Sequence, residues 1–176
     1  MITAAHGFGN CGDYIDGQSA WQGPYEYLIG DVGKWDWHQD WALIYETSNK
    51  EIDGLNDRIV NESYDAIGHM TEDGVDDLAS GADDRSVRKY GARTCHTAGV
   101  DVDKVSWAYC DNTHKWVDTY DANSDNGDSG CPHFVKYQYF DAISIVGMHH
   151  GHDIRSIAAF EISDKHSIEF GDNPTC

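Results

Sequence analysis

The amino-acid sequence predicts an all-β protein of antiparallel strands, arranged as a sandwich or a barrel. Two observations carry this. Short alternating or β-branched runs recur along the chain, among them "WALIYET", "YDAIGHMT", "SVRKYGARTCHTAGVDV", "KVSWAYC", "KWVDTY" and "AISIVGMHH". Between them stand Gly, Asn and Asp, which supply turns, and that rhythm belongs to sandwiches and barrels.

Taken in order, "ITAAHGF" opens with a short apolar strand start, and "DWALI" places an acid directly before an apolar strand. The segment Glu51 to Asp84 is rich in Asp and Gly and is the candidate crossing between two lobes. Within it, "DDLASGADD" reads as a solvated loop. "SIAAFEISDKHSIEF" near the end reads as a last strand running into a short helix.

At 176 residues with 40% hydrophobic content, the chain can build one core or two small lobes. No apolar run approaches the ~20 residues that span a bilayer. "MITAAHGFGN" has neither the basic start nor the apolar stretch of a secretory signal. With 31 acidic against 12 basic residues the net charge is −19, and Asp outnumbers Glu by 24 to 7. Such a surface repels phosphates and disfavours nucleic-acid partners. It fits a protein adapted to high salt, where screening suppresses self-repulsion; the alternative is an acidic, merely soluble secreted protein. Cys11, Cys95, Cys110, Cys131 and Cys176 lack zinc-ribbon spacing and suit one or two disulfides, with Cys95–Cys110 a candidate pair. "NES" at Asn61 to Ser63 is a glycosylation acceptor if the chain is exported.

The stretch "DANSDNGDSGCPHF", Asp121 to Phe134, admits two chemistries. Asp121, Asn123 and Asp125 alternate as in a calcium loop. Counted from Asp121, however, the glycine falls one place late, and the position of the closing glutamate is Pro132. The flanks "HKWVDTY" and "HFVKYQYF" read as strands, not helices. The other chemistry is a nucleophile: Gly127-Asp128-Ser129-Gly130 presents a serine in a tight turn.

His6, Asp40 and Ser129 give the chain order His, Asp, Ser, at separations of 34 and 89 residues. A serine hydroxyl needs a neighbouring imidazole to take its proton, and a carboxylate fixes that imidazole's tautomer. Gly127 allows a turn that aims its N–H, with that of Ser129, at a developing oxyanion. Gly130 leaves room beside the nucleophile.

These fragments resemble the chymotrypsin-like (trypsin-fold) serine peptidases: "ITAAHGF" the histidine motif, "DWALI" the aspartate motif, "GDSGCP" the serine motif. "VRKYGARTCHTAG" is similar to the "GxTTGxTxG" strand of the bacterial, streptogrisin-like branch. The resemblance implies two six-stranded antiparallel β-barrels with the triad between them. Residues 1–60 would be the remainder of the N-terminal barrel lobe and 61–176 the C-terminal barrel lobe. In the family the counterpart of Asp128 pairs with a buried cation, here Arg88 or Lys89. Cys131 stands where the usual motif has a second glycine, and is either disulfide-bonded or buried. The family's histidine motif follows a few dozen residues of first strands, whereas here it begins at Met1. The expectation is a chain lacking those strands, with the secretion signal and a sixth cysteine in the missing part.

"IVGMHHGHD", Ile145 to Asp153, corresponds to the strand lining the family's specificity pocket. Its Gly147-Met148-His149 is similar to the Gly-Ile-His of bacterial glutamyl endopeptidases, which implies that His149 receives an acidic side chain with Ser124 facing it. Asn123 falls near the pocket base, where trypsin-like enzymes carry Asp, so basic P1 residues are not implied. Alternatively His149, His150 and His152 are zinc ligands, or strand and turn residues with no special role. The resemblance thus implies a secreted, monomeric serine endopeptidase that uses no cofactor or metal and acts on peptides or proteins. The rival readings are an inactive binding module of the same fold and a serine esterase.

Overall fold

The structure, a computed structural model, describes residues 1–22, 27–48, 65–120, 122–137, 139, 142–151 and 155–168. The first sheet holds β1 (Ile2–Ala4), β2 (Ser19–Gln22), β3 (Tyr27–Asp36) and β4 (Trp41–Tyr45) in the antiparallel order β1-β4-β3-β2. Its apolar residues Ala20, Ile29, Val32, Ala42 and Ile44 close on Ala5, Ile15 and Trp37 as one core. The tight β3–β4 connection ends at Asp40, whose φ of 52° is one that Asp tolerates better than most residues.

The second sheet holds β5 (Asp65–His69), β6 (Val87–Gly91), β7 (Cys95–Gly99), β8 (Val102–Tyr109), β9 (Asn112–Thr119), β10 (Pro132–Tyr137), β11 (Ala142–His149) and β12 (Arg155–Ala158). Its order is β7-β6-β10-β11-β12-β9-β8, and β5 lies parallel to the first half of β11. It forms a half-barrel. Every residue of β11 is buried because both faces are covered. Ile143, Ile145 and Met148 pack with Trp116, Phe134 and Ile157 on one side, while Val146 meets Val117 and Val135 on the other. The first cluster also takes in Trp41, Ile2 and Leu43, and so joins the two sheets.

The predicted strands are present, and the last strand runs directly into a helix, α2 (Ala159–His166), as expected. "DDLASGADD" is a correction. Most of it belongs to helix α1 (Glu72–Ser80), which Thr71 caps by accepting from the Gly74 amide at 3.2 Å and which Gly81 ends at φ 73°. Val75 and Leu78, one turn apart, bury its inner face. Two closed six-stranded barrels are not what the described residues form: the first sheet is open, with β1 and β2 at its edges. The lobe boundary at residue 60 and the Asn61 acceptor lie outside the described residues, and no described helix is long and apolar enough to cross a membrane.

The β8–β9 hairpin turns on Cys110 and Asp111, both at positive φ (48° and 69°), the type I′ turn that matches strand twist. Cys110 is bonded to Cys11, not to Cys95. The bridge spans 99 residues and pins the hairpin tip to the first sheet's lobe. Among the described residues Cys95 and Cys131 are free. Replacing both Cys11 and Cys110 with Ser should lower stability by about 2–4 kcal/mol, read as a lower urea midpoint.

Candidate active site

The β1 strand ends in a 3-10 turn, Ala5–Gly7, that lifts the His6 ring out of the first sheet. Asp40 stands at the mouth of β4, 1% exposed. Its Oδ1 accepts the His6 backbone N–H at 2.8 Å and its Oδ2 accepts His6 Nδ1–H at 2.7 Å. That second bond puts the proton of neutral His6 on Nδ1, leaving Nε2 to accept Ser129 Oγ–H at 2.9 Å. Three residues from three segments thus form one hydrogen-bonded row. The His6 pKa is raised, chiefly by the bond to Asp40, with burial opposing. Burial pushes the Asp40 carboxyl up, but the bonds from His150 and His6 outweigh it, and Asp40 lies below its ordinary value.

Ser129 sits in the turn before β10, and the ion pair expected behind it is made by Lys89. Lys89 is 1% exposed, and its Nζ donates to Asp128 Oδ2 at 2.7 Å. Arg88, the residue before Lys89 on β6, instead lines a surface cleft with Arg85 and Lys136. Asp128 also accepts from Thr94 Oγ1 (2.6 Å) and from the Arg93 and Thr94 amides (2.8 and 3.2 Å). Burial raises the Asp128 pKa, yet these donors, Lys89 first, hold it well below the usual carboxylate range. Gly91 makes room for this carboxylate, since a Cβ there would lie 2.2 Å from Asp128 Cγ.

Gly127 has φ 102°, and among the described residues its amide and that of Ser129 have no protein acceptor. Two backbone donors are therefore available beside the serine, as an oxyanion site requires. Gly130 (φ 83°) presses on β1, where a Cβ would meet Thr3 Oγ1 at 2.1 Å. Cys131 is a half-buried thiol, free among the described residues, and burial pushes its pKa up to about 12. Ser129 opens on a cleft of about 410 Å³ lined also by Thr3, Phe8, Gln18 and Trp21.

The specificity residues divide. His149 Nε2 and Ser124 Oγ are 2.6 Å apart, so the expected pair forms. Behind them His149 Nδ1 meets His133 Nε2 at 3.0 Å, both rings buried, and His133 Nδ1 has no partner among the described residues. Burial, followed by the charge of Lys89, lowers the His149 pKa to about 4, leaving a neutral ring at pH 7. The exposed Asn123 uses its carbonyl to accept from the Thr97 hydroxyl at 3.1 Å. Met148 is a correction: a register slip between His133 and Phe134 resets the alternation of β11, and its side chain joins the core. At Gly147 a Cβ would lie 2.6 Å from Ser156 Oγ, so its backbone is all it can offer.

His150 Nδ1 makes a second bond to Asp40 Oδ2. His6, Asp40 and His150 each bring one ligand-type atom within 4.8 Å of the others, but their contacts are those of hydrogen bonds and not of a shared metal ion. The 2.7 Å from His6 Nδ1 to Asp40 Oδ2 is a hydrogen-bond distance. Two ligand atoms sharing a tetrahedral ion at ~2.0–2.1 Å stand about 3.3 Å apart. The zinc set His149, His150 and His152 is not assembled, since His149 and His150 face different partners and His152 lies outside the described residues.

Sequence reasoning missed Gly91, Thr94 and His133, and it offered His150 only as a zinc ligand or an unspecialised strand or turn residue, not as a partner of Asp40. Thr94 and Gly91 carried a signal, as the turn and strand residues of "KYGARTC" flanking the expected cation. Comparison with known proteins finds no family model and no curated protein that matches the chain. Removing one partner of the buried Lys89–Asp128 pair (Lys89→Met or Asp128→Ala) should cost about 3–5 kcal/mol in urea unfolding. The double variant should lose clearly less than the sum, because neither charge is then stranded.

Proposed function

We propose that the chain is a serine endopeptidase of the chymotrypsin-like kind, similar in design to the streptogrisin and glutamyl-endopeptidase branch. The observation that carries this is the row Asp40–His6–Ser129, with the serine opening on a cleft beside two unpaired amides. His6 takes the Ser129 proton as Oγ attacks the scissile carbonyl, and Asp40 stabilises the imidazolium. The Gly127 and Ser129 amides receive the oxyanion, and His6 returns its proton to the leaving amine. Water then repeats the cycle on the acyl-enzyme. The Cys11–Cys110 bridge supports an oxidising, extracellular setting.

The neutral His149 with Ser124 favours an acidic P1 side chain. Both can donate to a carboxylate, and the facing His133 can supply or take the tautomeric proton. An esterase would use the same row, so paired amide and ester substrates separate those readings; an inactive binding module would hydrolyse neither.

A fluorophosphonate probe should label the wild type in molar salt and in the presence of chelator, and Ser129→Ala should abolish labelling. An unlabelled wild type overturns the proposal. Because only neutral His6 can accept the proton, the rate should fall as pH drops through the His6 pKa, which the bond to Asp40 raises above the ordinary histidine value. His149→Ala should lower kcat/KM for acidic P1 peptides on the order of 10–100-fold, the worth of a hydrogen bond to a charge. The probe-labelling rate should stay unchanged.

A further inference from the structure

Asp40 Oδ2 accepts two imidazoles, one from each sheet. His6 comes from the turn after β1, and His150 directly follows β11. The ionised carboxylate only accepts, so His150 must carry its proton on Nδ1. With the His6 amide on Oδ1, three N–H donors converge on one buried group, and Oδ2 has both lone pairs engaged.

The His150 ring cannot turn away. Trp107, Tyr109 and Trp116 meet it edge-on at centroid distances of 5.2, 4.7 and 5.4 Å, and His6 lies at 5.0 Å. Its backbone amide donates to the Arg155 carbonyl at 2.9 Å, which fixes the start of the turn to β12. This enclosure exceeds what a packing residue needs, because it aims one nitrogen at one lone pair.

We propose that His150 is a positioning residue that extends the triad to a row of four, His150–Asp40–His6–Ser129, holding Asp40 and lowering the basicity of His6. The proposal rests on the triad reading above. By donating to Oδ2, His150 withdraws part of the negative charge that would otherwise stabilise protonated His6. A neutral and a cationic His150 act with the same sign, since the cation would also repel the His6 imidazolium.

The other groups around it stay fixed near pH 7. Burial, followed by the charge of Asp40, pushes the Tyr109 phenol up to about 12, and His149 lies at about 4. The Arg155 guanidinium is paired with Asp118 and lies over Trp107 at 4.7 Å.

The test compares His150→Phe, which fills the ring space without a donor, with His150→Asn, whose amide N–H stands near the place of Nδ1. The His6 ring is titrated by NMR, and probe labelling is followed against pH. In His150→Phe the His6 pKa and the acid limb should both rise by ~0.5 unit or more, and the labelling plateau should fall about tenfold. His150→Asn should restore most of each, at wild-type urea midpoints for both variants. A His6 pKa unchanged in His150→Phe overturns the proposal, as does an equal loss in both variants. A shifted His6 pKa in a wild type that does not label would leave the Asp40 contact standing and remove the peptidase reading instead.

Discussion

The structure depends on one buried carboxylate. Asp40 is almost fully enclosed, and an ionised group in that position is tolerated only while donors surround it. Two of its donors belong to His6, on its own sheet, and the third belongs to His150, on the half-barrel. Neither sheet alone can satisfy it. The row is therefore completed where the two sheets meet: the shared cluster of Trp41, Trp116, Phe134 and Met148 packs them together, and Asp40 takes donors from both.

The serine side follows the same logic at a second buried carboxylate. Asp128 draws Lys89, Thr94 and two amides inward, so the turn around Ser129 is held from behind by β6 and the following hairpin turn. Gly130 lets that turn press on β1, which sets the distance between Ser129 and His6. Large groups fix the sheets; carboxylates fix the side chains between them. Each acid that occupies this interface is over-supplied with donors, which is how a protein with a net charge of −19 keeps a few carboxylates inside.

Much of this was legible in the sequence, for reasons that differ by residue. Strands such as β9 and β11 announce themselves because alternation and β-branching are local properties. His6, Asp40 and Ser129 were legible because each sits in a short motif whose neighbours are fixed by the turn it makes. Lys89 could be told from Arg88 only once the face of β6 was known. Helix α1 was readable in principle from Thr71, Gly81 and the spacing of Val75 and Leu78, but the density of Asp masked the pattern. The Cys11–Cys110 pairing, the burial of Met148 and the roles of His133 and His150 were not legible. They depend on sheet order and on one register slip, which are long-range outcomes of packing.

The acidic surface bears on the proposed preference for acidic side chains, and the two pull against each other in dilute buffer. A chain carrying −19 repels an acidic substrate at long range, and the receptor His149 offers a neutral ring, not a compensating cation. At ~1 M salt the screening length falls to about 3 Å, so the surface field no longer reaches an approaching peptide. Contacts inside the pocket are too short and too enclosed to be screened in the same way. On the proposed reading, the neutral imidazole and the dense surface Asp are compatible because they operate at different distances: salt removes the repulsion that hinders encounter and leaves the hydrogen bonds that give selectivity.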